Sequence, residues 1–339
     1  MQFSIWHHDK NSGDIFMKKN FSYFISKYTI PLILVVLIVV FSLIKREFFS
    51  STNFKNILTQ QSYVIIASIG LAFIMISGGM DLSIGYQMSL VGVITAIAMM
   101  WWHLPVPVAV MIGMVTGVIL GVCNGVATIK LKVHPLIVTL GTMTIFEGIS
   151  YIISKSNPIF GLPGSFKFLG QGQVAGIPFC VIVMIVIAVT ASFILNRTYF
   201  GRYVYALGSN EEAAHLAGIN VGFIKIIIFS ICGLFVAISA ILLTARSGSA
   251  TSAIGVGTEF TGMTAAVLGG VSFKGGSGKI SGVVIGVLIL GVLSSGMQII
   301  GLGTYPQFIA KGAVLLAAIG LDNYQKESKL REAEKKTGV

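Results

Sequence analysis

Charge is what this sequence has least of. Of 339 residues only 10% are Asp, Glu, Lys or Arg, while 55% are hydrophobic; a soluble domain is usually about a quarter charged. So little polar surface cannot cover a chain of this length in water. Carboxylates are scarcer still: of twelve acidic residues only Asp81, Glu147 and Glu259 lie in or beside apolar runs, and no two of them are close in sequence. Acid–base pairs, nucleophile triads and metal clusters need convergent polar side chains, so no catalytic residue and no metal site are assigned. Histidine offers no substitute, because His7 and His8 lie near the start, His103 and His134 in short loops and His215 in a polar connection. The three cysteines, Cys123, Cys180 and Cys232, fall in apolar runs without paired spacing. They read as small packing residues rather than a disulfide framework or thiolate ligands.

What the chain does have is long apolar runs. They approach the 17 to 25 residues of a membrane helix and lack the alternation of a barrel strand, which would be about ten residues long. The fold expected is all-α and polytopic, with about ten transmembrane helices near 29–44, 61–77, 86–101, 106–129, 136–153, 177–195, 223–245, 258–272, 281–300 and 305–321. The eighth is short and rich in Thr and Gly, which predicts either a full span or a re-entrant or broken helix sheltered by neighbouring protein. A polar leader, 1–27, precedes the membrane domain 28–322, and a charged tail, 323–339, follows it. The first apolar run follows Lys18, Lys19 and Lys27 as in a signal peptide, but Lys45-Arg46 rather than a small-residue cleavage site follows it. It reads as an uncleaved anchor, with Met17 as an alternative start.

Lys and Arg are retained on the cytoplasmic side of membrane proteins. With ten spans and a cytoplasmic start, sixteen basic residues fall inside: Lys10, Lys18, Lys19, Lys27, Lys130, Lys132, Arg197, Arg202, Lys225, Lys274, Lys279 and five in the tail. Six fall outside: Lys45, Arg46, Lys55, Lys155, Lys167 and Arg246. Both termini are therefore expected in the cytoplasm. The formal charge of +11 then reports topology and attraction to anionic membrane lipid. No aromatic-studded basic domain is present for nucleic acid.

Two connections stand out. In the connection Asn196–Gly222 (196–222), Ser209 and Glu212 have capping-box spacing, Glu211 and Glu212 sit where a helix N-terminus favours acids, and Gly218 suits a left-handed C-terminus. About two turns of helix are expected there, outside the membrane, either lying on its surface or docking a partner. The second feature is a repeat. GGMDLSIGYQMSLVGVITA from Gly78 and GGVSFKGGSGKISGVVIGV from Gly269 each run from an apolar helix through paired glycines, five residues and another glycine into a helix of small residues. The motif glycines are Gly78, Gly79 and Gly85 with Asp81 in one copy, and Gly269, Gly270, Gly275, Gly276 and Gly278 in the other; transporters are commonly built from such repeats. In the fourth span Gly113, Gly117, Gly121 and Gly125 make one smooth face for close helix packing.

LGGVSFKGGSGKISG, 268–282, invites comparison with the phosphate loop G-x-x-x-x-G-K-[ST]. Aligned on Gly278-Lys279, the first glycine position holds Phe273 and the hydroxyl position Ile280, so two of four fixed positions fail. Glycine here serves a tight reversal, and Lys274 and Lys279 mark the inner side. An ionisable group inside lipid is normally paired, hydrated or functional. Glu147 is read as snorkelling outward or as lining a polar pathway, and Asp81 as a helix cap or the partner of a loop base. Asn124, Thr139, Thr142 and Glu259 are the remaining pathway candidates, each equally able to hydrogen-bond a neighbouring helix.

GGMDLSIG at 78–85, KVHPLIVTLGT at 132–142, GRYVYALGSNEEAAHLAGI at 201–219 and AAVLGGVSFKGGSGKISG at 265–282 resemble, in that order, signature segments of bacterial ABC-importer permeases for simple sugars. These are the ribose, galactose, xylose and autoinducer-2 type. The resemblance runs from about Asn56 to Asp322. It implies a permease of the bacterial cytoplasmic (inner) membrane that pairs with a second permease subunit, identical or not. A cytoplasmic ATPase holding ATP and Mg would power it, and an extracytoplasmic sugar-binding protein would load it. It also implies that Glu211, Glu212, Ala213, Ala214 and Gly218 belong to the element that couples to the ATPase. No cofactor is expected on this chain, which is not read as an enzyme. Two departures are visible: Glu147 stands where the family often has arginine, and the family's Glu-Leu-x-Ala-Ile-Ala-Ala becomes EFTGMTA at Glu259. They leave the sugar open. The rivals are an ion- or proton-coupled secondary carrier for a small polar solute, with Glu147 as its best carboxylate, and a channel or structural membrane protein.

Overall fold

The computed structural model describes residues 30–337; the leader, with Met17 and its four lysines, lies outside them. The chain forms thirteen α-helices among the described residues: α1 (Ile30–Ile44), α2 (Ser51–Ile76), α3 (Ile84–Met100), α4 (Val106–Leu131), α5 (Pro135–Ser154), α6 (Gly164–Gln171), α7 (Phe179–Arg197), α8 (Tyr199–Ser209), α9 (Glu211–Leu216), α10 (Val221–Ser247), α11 (Thr258–Leu268), α12 (Ile280–Ile299) and α13 (Thr304–Thr337). Six of them, α2, α4, α5, α7, α10 and α12, are long and apolar enough to cross a membrane, and α1 and α3 are shorter apolar helices. Every apolar run of the sequence is thus helical. α2 begins ten residues before its apolar stretch because Ser50 caps it, accepting from the Asn53 amide at 3.2 Å. α13 runs unbroken across 322–323, where composition turns from apolar to charged.

The interior is built on α2 and α10. Their most apolar stretches are 72% and 67% buried, against 22% for α5 and 28% for α4. A helix apolar all round belongs inside, whereas one with a single protein-facing side can present the other to lipid. α4 lies along α10 on its glycine face. Side chains at Gly117 and Gly121 would run into the backbone carbonyls of Gly233 and Phe229. Close backbone approach replaces side-chain interdigitation, as small residues permit. Gly282 and Gly286 of α12 receive α11 in the same way, while Gly291 receives Gln61 and Gly296 receives Phe41.

The eighth apolar segment forms only a short helix. α11 has eleven residues, about 16 Å at 1.5 Å per residue, half of a hydrocarbon core of about 30 Å. The chain before it, 250–257, is non-helical. Ala250 pairs with Ile159 in an isolated antiparallel bridge, Ser252 Oγ lies 2.8 Å from Ser154 Oγ, and the Gly255 amide donates to Ser89 Oγ at 3.1 Å. Irregular backbone at membrane depth survives only when protein satisfies it, and here α5 and α3 do so.

Both glycine turns lie at the same end of the molecule and touch: the Gly276 amide donates to Ile76 O at 2.8 Å, and Gly275 rests on Gly78. The repeat holds only in outline. Gly78 and Gly270, one position out of register, take the left-handed turn conformation (φ 87° and 83°). α11 packs along α12, whereas α2 and α3 diverge.

Three short elements had no counterpart in the sequence reading. α6 carries Gln171, whose amide donates to Arg246 O at 2.9 Å and covers the end of α10. A hairpin pairs Gln173 with Pro178 and Val174 with Ile177. α8 precedes α9 at the glycine-turn end.

Candidate functional site

α8 and α9 sit over the glycine turns. α8 buries Gly201, Val204 and Leu207, and its Gly208 lies against Ile76 O and the Gly276 amide. Tyr205 donates its hydroxyl to Gly278 O at 2.8 Å, and burial pushes its phenol above the ordinary range, so it remains a donor at neutral pH. α9 is capped by Asn210, whose Oδ1 accepts from the Ala213 amide at 2.9 Å. Ser209 is not the cap, which corrects the capping-box reading. It is still the last residue of α8 and donates to Tyr205 O at 2.9 Å, while the chain becomes extended only at Asn210 (φ −162°, ψ 106°). Gly218 ends the turn at φ 84°, with open space around it.

Of the coupling candidates, Glu211, Glu212, Ala213 and Gly218 are exposed and Ala214 is buried. Leu216, which no sequence feature singled out, is 81% exposed on this short helix. Lys225 of α10 holds α9 down through Glu211 at 2.6 Å, the one salt bridge found among the described residues.

The glycine turn 269–279 has no amides to spare for a phosphate at two central positions. Gly275 N donates to Ser272 O at 3.2 Å, and Gly276 N is spent on α2. Its glycines are needed for left-handed backbone and for contact with Gly78 and Ser209.

Asp81 lies in the other turn, 1% exposed, and accepts from four donors. These are Ser83 N at 2.8 Å, Ser83 Oγ at 2.5 Å, Gln87 Nε2 at 3.1 Å and Asn124 Nδ2 at 3.3 Å. Asp81 thus caps the start of α3 and ties it to α4; among the described residues no loop base reaches it. Thr139 adds α5 by accepting from the Leu82 amide at 3.2 Å. Gln87 and Ser83 were missed in the sequence; a glutamine in an otherwise apolar helix, six residues after a buried acid, is the signal that pointed there.

The other pathway candidates disperse. Glu147 accepts from Tyr86 of α3 at 2.7 Å, so this carboxylate turns toward the protein rather than outward. Glu259 accepts from its own Gly257 amide at 3.0 and 3.1 Å, capping α11, and rests on Gly85. Thr142 bonds back to Thr139 O at 3.4 Å. Asn124 and Thr139 therefore meet at Asp81, Tyr86 draws Glu147 to α3, and Thr142 stays apart. Among the described residues no group of three His, Cys, Asp or Glu side chains could hold a metal ion.

The family model for the branched-chain amino acid transport system / permease component matches residues 53–319. A ribose import permease protein of Haemophilus influenzae is 38% identical over 301 residues, covering 88% of this chain and 93% of the relative. A D-allose transport system permease protein of Escherichia coli is 36% identical over 304 residues (89% and 93%). A galactose/methyl galactoside import permease protein of Escherichia coli is 36% identical over 324 residues (90% and 96%). No solved structure matches the chain. A match over most of the length, with relatives covered almost end to end, fits the multi-pass helical architecture and places the molecule in the bacterial inner membrane: the chain belongs to the branched-chain amino acid transport system / permease component family.

Proposed function

We propose that this chain is the transmembrane subunit of an ATP-driven importer for a monosaccharide or related small sugar. The family description names branched-chain amino acids, but the relatives aligned almost end to end are named for ribose, allose and galactose, which favours sugar. In this reading the α9 end is cytoplasmic, both termini lie there, and ten traversals include the non-helical crossing completed by α11. The domain 28–322 spans the membrane between a leader and a tail. α9 docks in a cytoplasmic ATPase that holds ATP and Mg; this chain binds neither. A second permease subunit completes the pathway, and an extracytoplasmic binding protein delivers the sugar.

The observation that carries the coupling role is α9 itself. It presents Leu216 to solvent while its supports, α8 and Lys225, rest on the two glycine turns and on α10. Force on α9 therefore has a short path to α2, α3, α11 and α12 through backbone contacts. The test is uptake of labelled D-ribose, D-allose, D-galactose and D-xylose by the chain assembled with its ATPase and binding protein. ATP-dependent uptake of one of them is expected. Uptake by the chain alone that collapses with the proton gradient would establish the secondary-carrier reading instead.

A further inference from the structure

At the end opposite α9, α2 and α12 part around a cavity of about 250 Å³. Asn53, Asn56 and Gln60 line it from α2, Ser295 and Gln298 from α12, and Ile57 lies at its base. Asn53 is held in place, donating to Phe48 O at 2.9 Å and accepting from Ser295 Oγ at 2.9 Å. Asn56, Gln60 and Gln298 are exposed, and their carboxamides make no hydrogen bond to other described residues.

The chemistry of this lining is narrow. Each carboxamide offers two donors and an acceptor, and each hydroxyl of a polyol gives one hydrogen bond and takes others, so facing amides can bracket adjacent hydroxyls. No charged side chain lines the cavity, so it offers an ion no counter-charge. The position also matters. The opposite ends of α2 and α12 run into the two interlocked glycine turns, Gly276 N on Ile76 O and Gly275 on Gly78. A molecule bridging α2 and α12 here ties together the two helices that meet again beneath α8.

We infer that this cavity is a binding site for a small neutral polyhydroxyl molecule, an entry subsite for the sugar on the permease itself. The inference rests on the importer reading for its ligand and is tested so that the two can fail separately. Gln298→Cys, in a Cys123→Ala background and in the assembled transporter in spheroplasts, is labelled from outside with a membrane-impermeant maleimide. Labelling is timed with and without D-ribose, D-allose, D-galactose or D-xylose, with gluconate as the anionic control. A sugar at ten times its Kd slows labelling about elevenfold by simple occupancy. Gluconate leaves the rate unchanged, and adding Asn56→Leu and Gln60→Leu abolishes the protection. Asn56→Cys is a second reporter should Gln298→Cys assemble poorly. Labelling that no sugar slows, at either reporter and up to the solubility limit, overturns the site; if the same cells take up sugar, the importer reading stands without it. Protection in cells that take up none of the four sugars supports the site and overturns the importer reading.

Discussion

Asp81 answers four donors in a place without water, so its removal strands more than it frees. Asp81→Ala takes the acceptor from the Ser83 amide and hydroxyl, while the Gln87 and Asn124 carboxamides keep Ser83 Oγ at 2.7 and 2.8 Å, at about 1–3 kcal/mol for each group left unpaired. Gln87→Leu removes the amide that donates to Asp81 and to Ser83 Oγ, but also Gln87 Oε1, a buried acceptor with no partner among the described residues. It is expected to cost about 1 kcal/mol or less. Thermal unfolding of the detergent-purified protein should therefore fall far more in the first variant than in the second; the reverse order would refute this account of the cluster. The sequence made Asp81, Asn124 and Thr139 candidates one by one. It did not join them, because they are 43 and 58 residues from Asp81 and only the folding of α4 and α5 against the turn brings them together. Glu147 shows the same limit, since its partner Tyr86 comes from another helix.

At the scale of elements, glycine has two different meanings in this chain. Gly121 of α4 lies against the carbonyl of Phe229, while Gly148 of α5 has open space where its side chain would be. Gly121→Leu is expected to destabilise by about 1–3 kcal/mol, since backbone cannot yield as a side chain can. Gly148→Ala is expected to stabilise by about 0.5–1 kcal/mol through helix propensity alone. Denaturation of the two purified variants checks the contrast. The four-residue glycine spacing was legible in α4, because periodicity is local, but its partner α10 was not. α9 gives the functional counterpart. Leu216→Arg faces solvent and should abolish ATP-driven uptake while leaving membrane insertion and thermal stability intact; retained uptake would dissociate α9 from coupling. Ala214→Arg is a poorer test, because Ala214 is buried and the variant would also disturb the packing of α9.

For the whole molecule the open quantity is orientation. In the described loops the basic residues are nearly balanced, seven at the α9 end and six at the other, so the asymmetry rests on the leader and the charged tail. Labelling decides it: Glu212→Cys should react with an impermeant maleimide only in inside-out vesicles, and Asn157→Cys only in intact spheroplasts. Labelling of both from one side would break the ten-traversal topology. The exposed apolar stripes, Val108, Met111, Val115 and Ile119 on α4 and Ile185, Val186, Val189 and Phe193 on α7, are large enough to require lipid or a partner subunit rather than water.

The amino-acid sequence by itself determined that the chain lives in a membrane, where its long apolar helices run, and that a short helix stands outside them between α7 and α10. These follow from apolar length, charge placement and turn chemistry, which are properties of neighbouring residues. Only the tertiary structure decided that the eighth segment is a short helix preceded by a turn-rich stretch, 250–257, held against α3 and α5, that the two glycine turns interlock beneath α8, and that the Asp81 carboxylate is buried among Ser83, Gln87 and Asn124. Each of those depends on which distant groups satisfy a backbone or a carboxylate that lipid cannot, and a one-dimensional pattern does not name the partner.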